Sequence, residues 1–275
     1  MKKSLFTFLS FLLLFSLFSA NAGATATNTQ YVDEIHNIQN ELINSLQNEG
    51  IKNIETANEA IDSFFKNNPV DESLLTEYFV NTNQKTVLPE TENDSDDFQY
   101  YLKENVDSGK FKEYNISDNI KITLTDSPFF VVESVTADAN EEESSKDTLT
   151  SENTARVAAS KSTPTETYTL QVKSILGNTA FSVSVRGYFT YNGSAVNPHL
   201  VDAWYNIGSL TTWQVNNWQK GVTYETNGKV RIYGKGNFRW GISINGHGLT
   251  IQDKYINVFQ EGDKDGGRLW DRIVN

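Results

Sequence analysis

The chain has 275 residues, a formal net charge of −12 and no cysteine. Its length allows one to two domains at roughly 100–200 residues each. The missing cysteines exclude disulfides, zinc thiolates, a lipidated cysteine and a thiol nucleophile. Residues 23–165 carry net −17 and residues 166–275 net +3. That surplus is too weak for a nucleic-acid backbone, so no nucleic-acid partner is expected.

Met1-Lys2-Lys3, an apolar run from Leu5 to Phe18 and then Ala20-Asn21-Ala22 have the order of a secretory signal peptide. The expected segment is 1–22. The apolar run is shorter than the roughly 20 residues a spanning helix needs, so no stable membrane span is expected after cleavage. The expected location is extracellular, free or associated with the cell wall, as in an export product of a Gram-positive bacterium.

An acidic, mainly helical region is read over 23–112. Val32, Ile35, Ile38, Leu42 and Leu46 recur at three and four, which predicts a helix over 28–48 ending at Glu49-Gly50. Ile54, Ala57, Ile61, Phe64 and Phe65 predict a second helix, stopped by Asn68-Pro69. Asp71–Val80 reads as a third, and Phe98–Phe111 as one more. Residues 113–136 alternate around a turn at Asp126-Ser127-Pro128 and read as a β-hairpin. Two strands do not stand alone in water, so the hairpin should pair with the C-terminal sheet or the helices. Residues 137–166 are Ser, Thr, Glu, Asp and Ala with few large apolar side chains, and read as a disordered linker.

The last segment, 167–275, holds all five tryptophans. In 180–191, Phe181, Val183, Val185, Phe189 and Tyr191 fall on one face of a strand, and Ser182, Ser184, Arg186, Tyr188 and Thr190 on the other. Asn192-Gly193, Asn227-Gly228 and Asn245-Gly246 read as type I′ hairpin turns. Seven or eight short strands in about 110 residues predict an all-β antiparallel sandwich of immunoglobulin-like size. Trp213 and Trp240 fall on apolar faces and are expected in its core.

The run Leu170–Gly193 has a Leu176-Gly177 turn, an aromatic strand start at Phe181 and Gly187-x-Phe189-x-Tyr191-Asn192-Gly193. It resembles a pattern found in uncharacterised secreted proteins of Gram-positive bacteria. The resemblance covers about 25 residues and implies a small secreted β-sandwich without an assigned activity.

Nucleophile-elbow, zincin and phosphate-loop motifs are absent from the sequence. His199 and His247, with Asp202 and Asp253, are the candidates for acid–base catalysis, but both histidines also suit loop positions. Asp263-Lys264-Asp265-Gly266-Gly267 echoes half a calcium loop and lacks the rest. No cofactor or metal site is expected. By parity Tyr188, Trp204, Trp218 and Tyr233 lie on polar faces with Arg186, Lys229 and Arg231. Such rings either bind something or pack under the N-terminal helices or the 116–136 hairpin. The favoured reading is a non-enzymatic interaction module for a cell-wall polymer or an extracellular protein. One alternative is an effector, toxin or antimicrobial, held inactive by an acidic propeptide. Another is a hydrolase using His199 and His247.

Overall fold

The computed structural model describes residues 24–81, 111–125, 127–138, 160–208, 214–244 and 247–274; the side chains of 24–29, 76, 79–81, 240–254 and 274 stand outside that description. The expected signal peptide, the helix over 98–111 and Trp213 therefore lie outside the described residues. The fold is mostly β, in two antiparallel sheets with few helices.

Three helices come first: α1 Ala24–Gln47, α2 Ile54–Asn67 and α3 Glu72–Asn81. Asn53 starts α2. Its side chain accepts the Thr56 N–H, while Thr56 Oγ1 accepts the Asn53 N–H, so two orphan donors of the first turn are satisfied reciprocally.

The first sheet contains β1 Lys112–Ser117, β2 Ile120–Leu124, β3 Phe129–Ala137, β4 Lys161–Ser162, β5 Glu166–Ser174, β6 Thr179–Tyr191 and β7 Val196–Ile207. Its order is β1-β2-β3-β5-β6, with β7 on the free side of β6 and the short β4 pairing β6 beyond the end of β5. The second sheet is β8 Gln214–Tyr224, β9 Val230–Ile244, β10 His247–Gly262 and β11 Arg268–Val274, in the order β11-β10-β9-β8.

Two cores follow from the alternation of side chains on β3. Phe129 and Val131 join Leu170, Val172, Phe181, Val183 and Val185 against Val230, Ile232, Phe238, Ile256 and Val258 of the second sheet. Phe130 and Val132 point the other way. With Ile120, Ile122, Leu124 and Ile175 they meet Ile35, Leu42, Leu46, Ile61 and Phe65 of the helices. Period two over Phe129–Val132, a run apolar at every position, buries both faces of the strand there. The Phe65 and Phe130 rings stack at 6.3 Å. Buried Gln39 of α1 reaches the sheet too, donating to the carbonyls of Ser127 at 2.8 Å and Phe129 at 3.3 Å.

The segment read as a two-stranded hairpin is three strands, β1 to β3, and they continue into the sheet of β5 and β6. β3 pairs β5 from Phe129↔Ser174 to Ala137↔Glu166. Of the span read as linker, residues 139–159 lie outside the described residues, but its end is ordered. The Thr163 N–H donates to Phe189 O, and Thr163 Oγ1 accepts the Phe189 N–H, both at 2.9 Å. A hydroxyl here takes the place of a strand carbonyl, which composition alone does not reveal.

The turns also differ from expectation. At Asn192-Gly193 and Asn227-Gly228 only the glycines have positive φ, +79° and +78°. A type I′ turn requires both residues to be positive. The asparagines act through their side chains instead. Asn192 Oδ1 accepts the N–H groups of Ser194 and Ala195, and Asn227 Oδ1 accepts that of Lys229. Asn245-Gly246 lies outside the described residues.

Candidate binding faces

The residues singled out as one aromatic and basic face occupy three places. The first is the outer face of the first sheet, away from the second. There the register sets Ser184 opposite Trp204, Arg186 opposite Asp202 and Tyr188 opposite His199. The Tyr188 and His199 rings lie parallel, centroids 4.5 Å apart and planes 8° from parallel. His199 Nε2 is 3.0 Å from Thr190 Oγ1, which fixes the ring edge. Arg186 donates from Nε at 3.2 Å and Nη2 at 2.5 Å to Asp138 Oδ2, so its charge is matched locally. Thr169 and Ser184 hydroxyls bond each other across β5 and β6, and Asn206 donates to Ser182 Oγ. The helices cover another part of this sheet: the core they share with it contains no residue of β6 or β7. The half-face over β6–β7 therefore combines three half-buried rings with neutral hydroxyl and amide groups.

The second place is the outer face of the second sheet, on the opposite side of the molecule. It carries Lys229, Arg231 and Tyr233. Buried Glu261 accepts Lys229 Nζ at 2.6 Å and Arg231 Nε at 2.8 Å. Glu225 lies 3.6 Å from Arg231. The Arg231 guanidinium caps the Phe259 ring at 4.4 Å, and Lys235 Nζ caps Tyr233 at 4.7 Å. These cations are committed to carboxylates and rings within the sheet.

The third place is the core, and it holds Trp218. The β8–β9 register shifts between Asn216 and Gln219, and Asn217 has φ +56°. Two residues of β8 there face the single Gly236, and the extra residue reverses the parity. Val215 and Trp218 both pack on the core, although a regular strand would place them on opposite faces. The indole meets Tyr205 edge-on at 4.9 Å and Phe238 at 6.3 Å. A Cβ on Gly234 would lie 2.9 Å from the indole and 3.0 Å from Ala203, so the glycine makes room for the ring.

The two catalytic candidates with described side chains, His199 and Asp202, are engaged elsewhere. His199 is held by Tyr188 and Thr190. Asp202 pairs with Lys220 and accepts the Ala203 N–H, which together hold its carboxyl below the usual range. His247 and Asp253 sit on β10 in the other sheet, and their side chains are outside the described ones. Asp263 spends its carboxylate on its own loop, accepting the N–H groups of Asp265 and Gly267. Among the described residues no cluster of three His, Asp or Glu side chains is poised to hold a metal ion. No described helix is long and apolar enough to cross a membrane.

Sequence reasoning missed a buried polar network at the seam between the sheets. Arg272 of β11 pairs with Glu133 of β3. Tyr168 OH donates to Glu133 Oε1 at 2.6 Å, and Lys121 Nζ lies 3.2 Å from Oε2. Burial penalises the Glu133 carboxylate, but Arg272 and Lys121 outweigh it and hold its pKa at about 2. Burial lifts neighbouring Asp271 to about 7, against the pull of the Arg272 N–H and guanidinium. Arg268 binds Glu166 in the same way. Gln260 donates to the carbonyls of Val185 at 2.7 Å and Glu166 at 2.9 Å. The one available signal was charge at positions 268 and 272, which alternate with Trp270 on the inward side of the last strand.

No family model, curated protein or solved structure matches this chain.

Proposed function

We propose that the chain is an exported, non-enzymatic binding protein of the cell envelope, and that the outer face of β6 and β7 takes a neutral glycan segment of a wall polymer. In this reading a signal peptide over 1–22 is removed. A mainly helical N-terminal region, a linker and a β-sandwich of immunoglobulin-like size remain. The observation that carries it is the parallel Tyr188–His199 pair, with Trp204 two rungs farther along the same face and half-buried Thr169, Thr190 and exposed Asn206 around them. Aromatic faces stack on the apolar faces of sugars, and the half-buried Thr169 and Thr190 hydroxyls and the exposed Asn206 amide have donor and acceptor capacity beyond their bonds within the sheet. The Arg186–Asp138 pair leaves the face with little net charge, which suits a neutral ligand better than a polyanion. The second sheet's cations, being internally matched, support polyanion binding less well.

The propeptide reading has less support. β3 lies between β2 and β5 in the same sheet, so cleavage between 138 and 160 would leave the two parts joined by a nine-residue ladder. The hydrolase reading loses its pairing of His199 with a carboxylate, since Asp202 is engaged by Lys220.

The test is pelleting with purified cell walls at low and high salt. Binding should persist at high salt and fall on Trp204→Ala. Binding abolished by salt, and by Arg231→Gln but not by Trp204→Ala, would move the site to the second sheet.

A further inference from the structure

Among the described residues, the exposed large apolar side chains are Val201 at 49%, Ile207 at 44%, Val222 at 40% and Tyr224 at 70%. All four lie on β7 and β8, which end their sheets on the same side of the molecule. Val201, Val222 and Tyr224 fall together there. Lys220 of β8 pairs with Asp202 of β7, the neighbour of Val201. Val222 stands opposite Ile232, and a Cβ on Gly187 would run into Ile232 Cδ1. The β7 partner of Gly187 is Leu200. Val222, and Tyr224 two residues on with the same parity, therefore face Leu200 and Val201 along the open side. An apolar patch of this kind marks a contact surface.

The free edge of β8 is regular beside this patch. After the bulge its register with β9 runs unbroken from Gln219↔Lys235 to Tyr224↔Val230. The Glu225 N–H donates to Lys229 O, and Glu225 O accepts the Gly228 N–H, so Glu225 turns its backbone groups toward β9. Backbone groups alternate between the two sides of an antiparallel strand. Thr223 and Gly221 therefore also bond β9, while Tyr224, Val222 and Lys220 turn their N–H and C=O groups to the free side. The edge of β7 is blunted by contrast. Pro198 has no N–H, the register slips at Val201, and Asp202 Oδ1 takes the Ala203 N–H.

The β8 edge is complementary to itself. A second β8 laid antiparallel along it, with Val222 on a two-fold axis, sets Val222 against Val222 and Lys220 against Tyr224 in both directions. Each of these rungs exchanges two hydrogen bonds. On the outer face Gly221 meets Thr223, and neither crowds the other. Lys220 meets a ring and not another lysine, and its charge stays matched by Asp202. This centre uses all of Lys220, Val222 and Tyr224; an axis at Lys220 would set two lysines opposite each other.

We propose that β8 pairs with β8 of a second copy of this chain about a two-fold axis at Val222, joining the two four-stranded sheets into one. The pairing is independent of the glycan face and uses none of its residues.

The experiment is sedimentation equilibrium of the chain from Gly23, which keeps every described element. The parent's mass should rise from monomer toward dimer, and no further, between about 10 µM and about 1 mM, as suits so short an edge. Val222→Asp and Val222→Lys each set like charges together on the axis, and each should weaken self-association by about tenfold or more. Mixed in equal amounts they should restore it, because the axis then joins a carboxylate to an ammonium. Ile207→Asp, at the far end of β7, should dimerise as the parent does. Amide exchange of the parent gives a readout without any variant: Lys220, Val222 and Tyr224 should slow as concentration rises through that range, and Tyr205, on the β7 edge, should not. A parent that stays monomeric, a mass beyond the dimer, unchanged association of both Val222 variants, no rescue in the mixture, or unchanged exchange at Val222 overturns the assignment. Loss of the dimer in Ile207→Asp alone would move the contact to β7 and overturn it too.

Discussion

Phe129 and Phe130 are consecutive residues of β3 that belong to different cores. Phe129 faces the second sheet, and Phe130 faces the helices and stacks on Phe65. Either Phe→Ala change should cost about 3–5 kcal/mol in denaturant unfolding. Native-state hydrogen exchange should separate them. Phe130→Ala should raise exchange first in α1 and α2, and Phe129→Ala first in β5, β6 and β9. Identical exchange patterns would mean that the two cores are one cooperative unit.

The same strand joins the two halves of the chain. A protease site inserted between residues 139 and 159 and then cut should leave two fragments that co-elute under native conditions and separate in denaturant. Residues 166–275 made alone should not fold, because the β5 edge would lose β3 and Leu170 and Val172 would lose Phe129 and Val131. A folded, monomeric 166–275 would contradict this.

Trp218→Ala should destabilise the fold by about 3–5 kcal/mol and leave wall binding per folded molecule unchanged, since the indole packs on Tyr205 and Phe238. Loss of binding with unchanged stability would return Trp218 to the surface.

The Glu133–Arg272 pair makes stability depend on pH. Glu133 titrates at about 2, below its ordinary 4.5, so its contribution is complete above pH 4.5 and is lost as pH falls toward 2. Asp271 titrates at about 7, above its ordinary 3.8. Its contribution is complete below pH 3.8 and is lost as pH rises through 7. Stability should therefore peak near pH 4 and decline toward pH 8, by an amount on the order of a few kcal/mol. Urea midpoints against pH should show this slope, and Asp271→Asn should flatten it. Glu133→Gln should cost about 3–5 kcal/mol at pH 6 by leaving Arg272 buried without its partner. Adding Arg272→Met should recover part of that loss.

Local patterns were legible in the sequence, and pairings between distant segments were not. The parity of Phe181, Val183 and Val185 fixed which face of β6 is buried, because a regular strand alternates without exception. The same rule failed at Trp218, where the bulge at Asn217 adds one residue and turns the side chain over. The run Phe129–Val132, read as one strand of an alternating hairpin, is buried on both faces, and nothing local named β5 as its neighbour. Parity put Tyr188 and Trp204 on a polar face and left open whether that face is covered; both rings are half-buried. His199 was read as a catalytic candidate, because its place beside Tyr188 depends on the β6–β7 register across the extra residue at Val201. The Lys229 and Arg231 side chains looked free in sequence, because Glu261 lies thirty residues away and reaches them only through the β9–β10 ladder.

The most direct measurement is an amide NMR titration of isotope-labelled chain from Gly23 with soluble, neutral cell-wall glycan fragments. Shifts should cluster at 184–190 and 197–206 and should vanish in Tyr188→Ala. Shifts confined to 221–235 and 257–261, or none at saturating glycan, would contradict the assignment of the β6–β7 face.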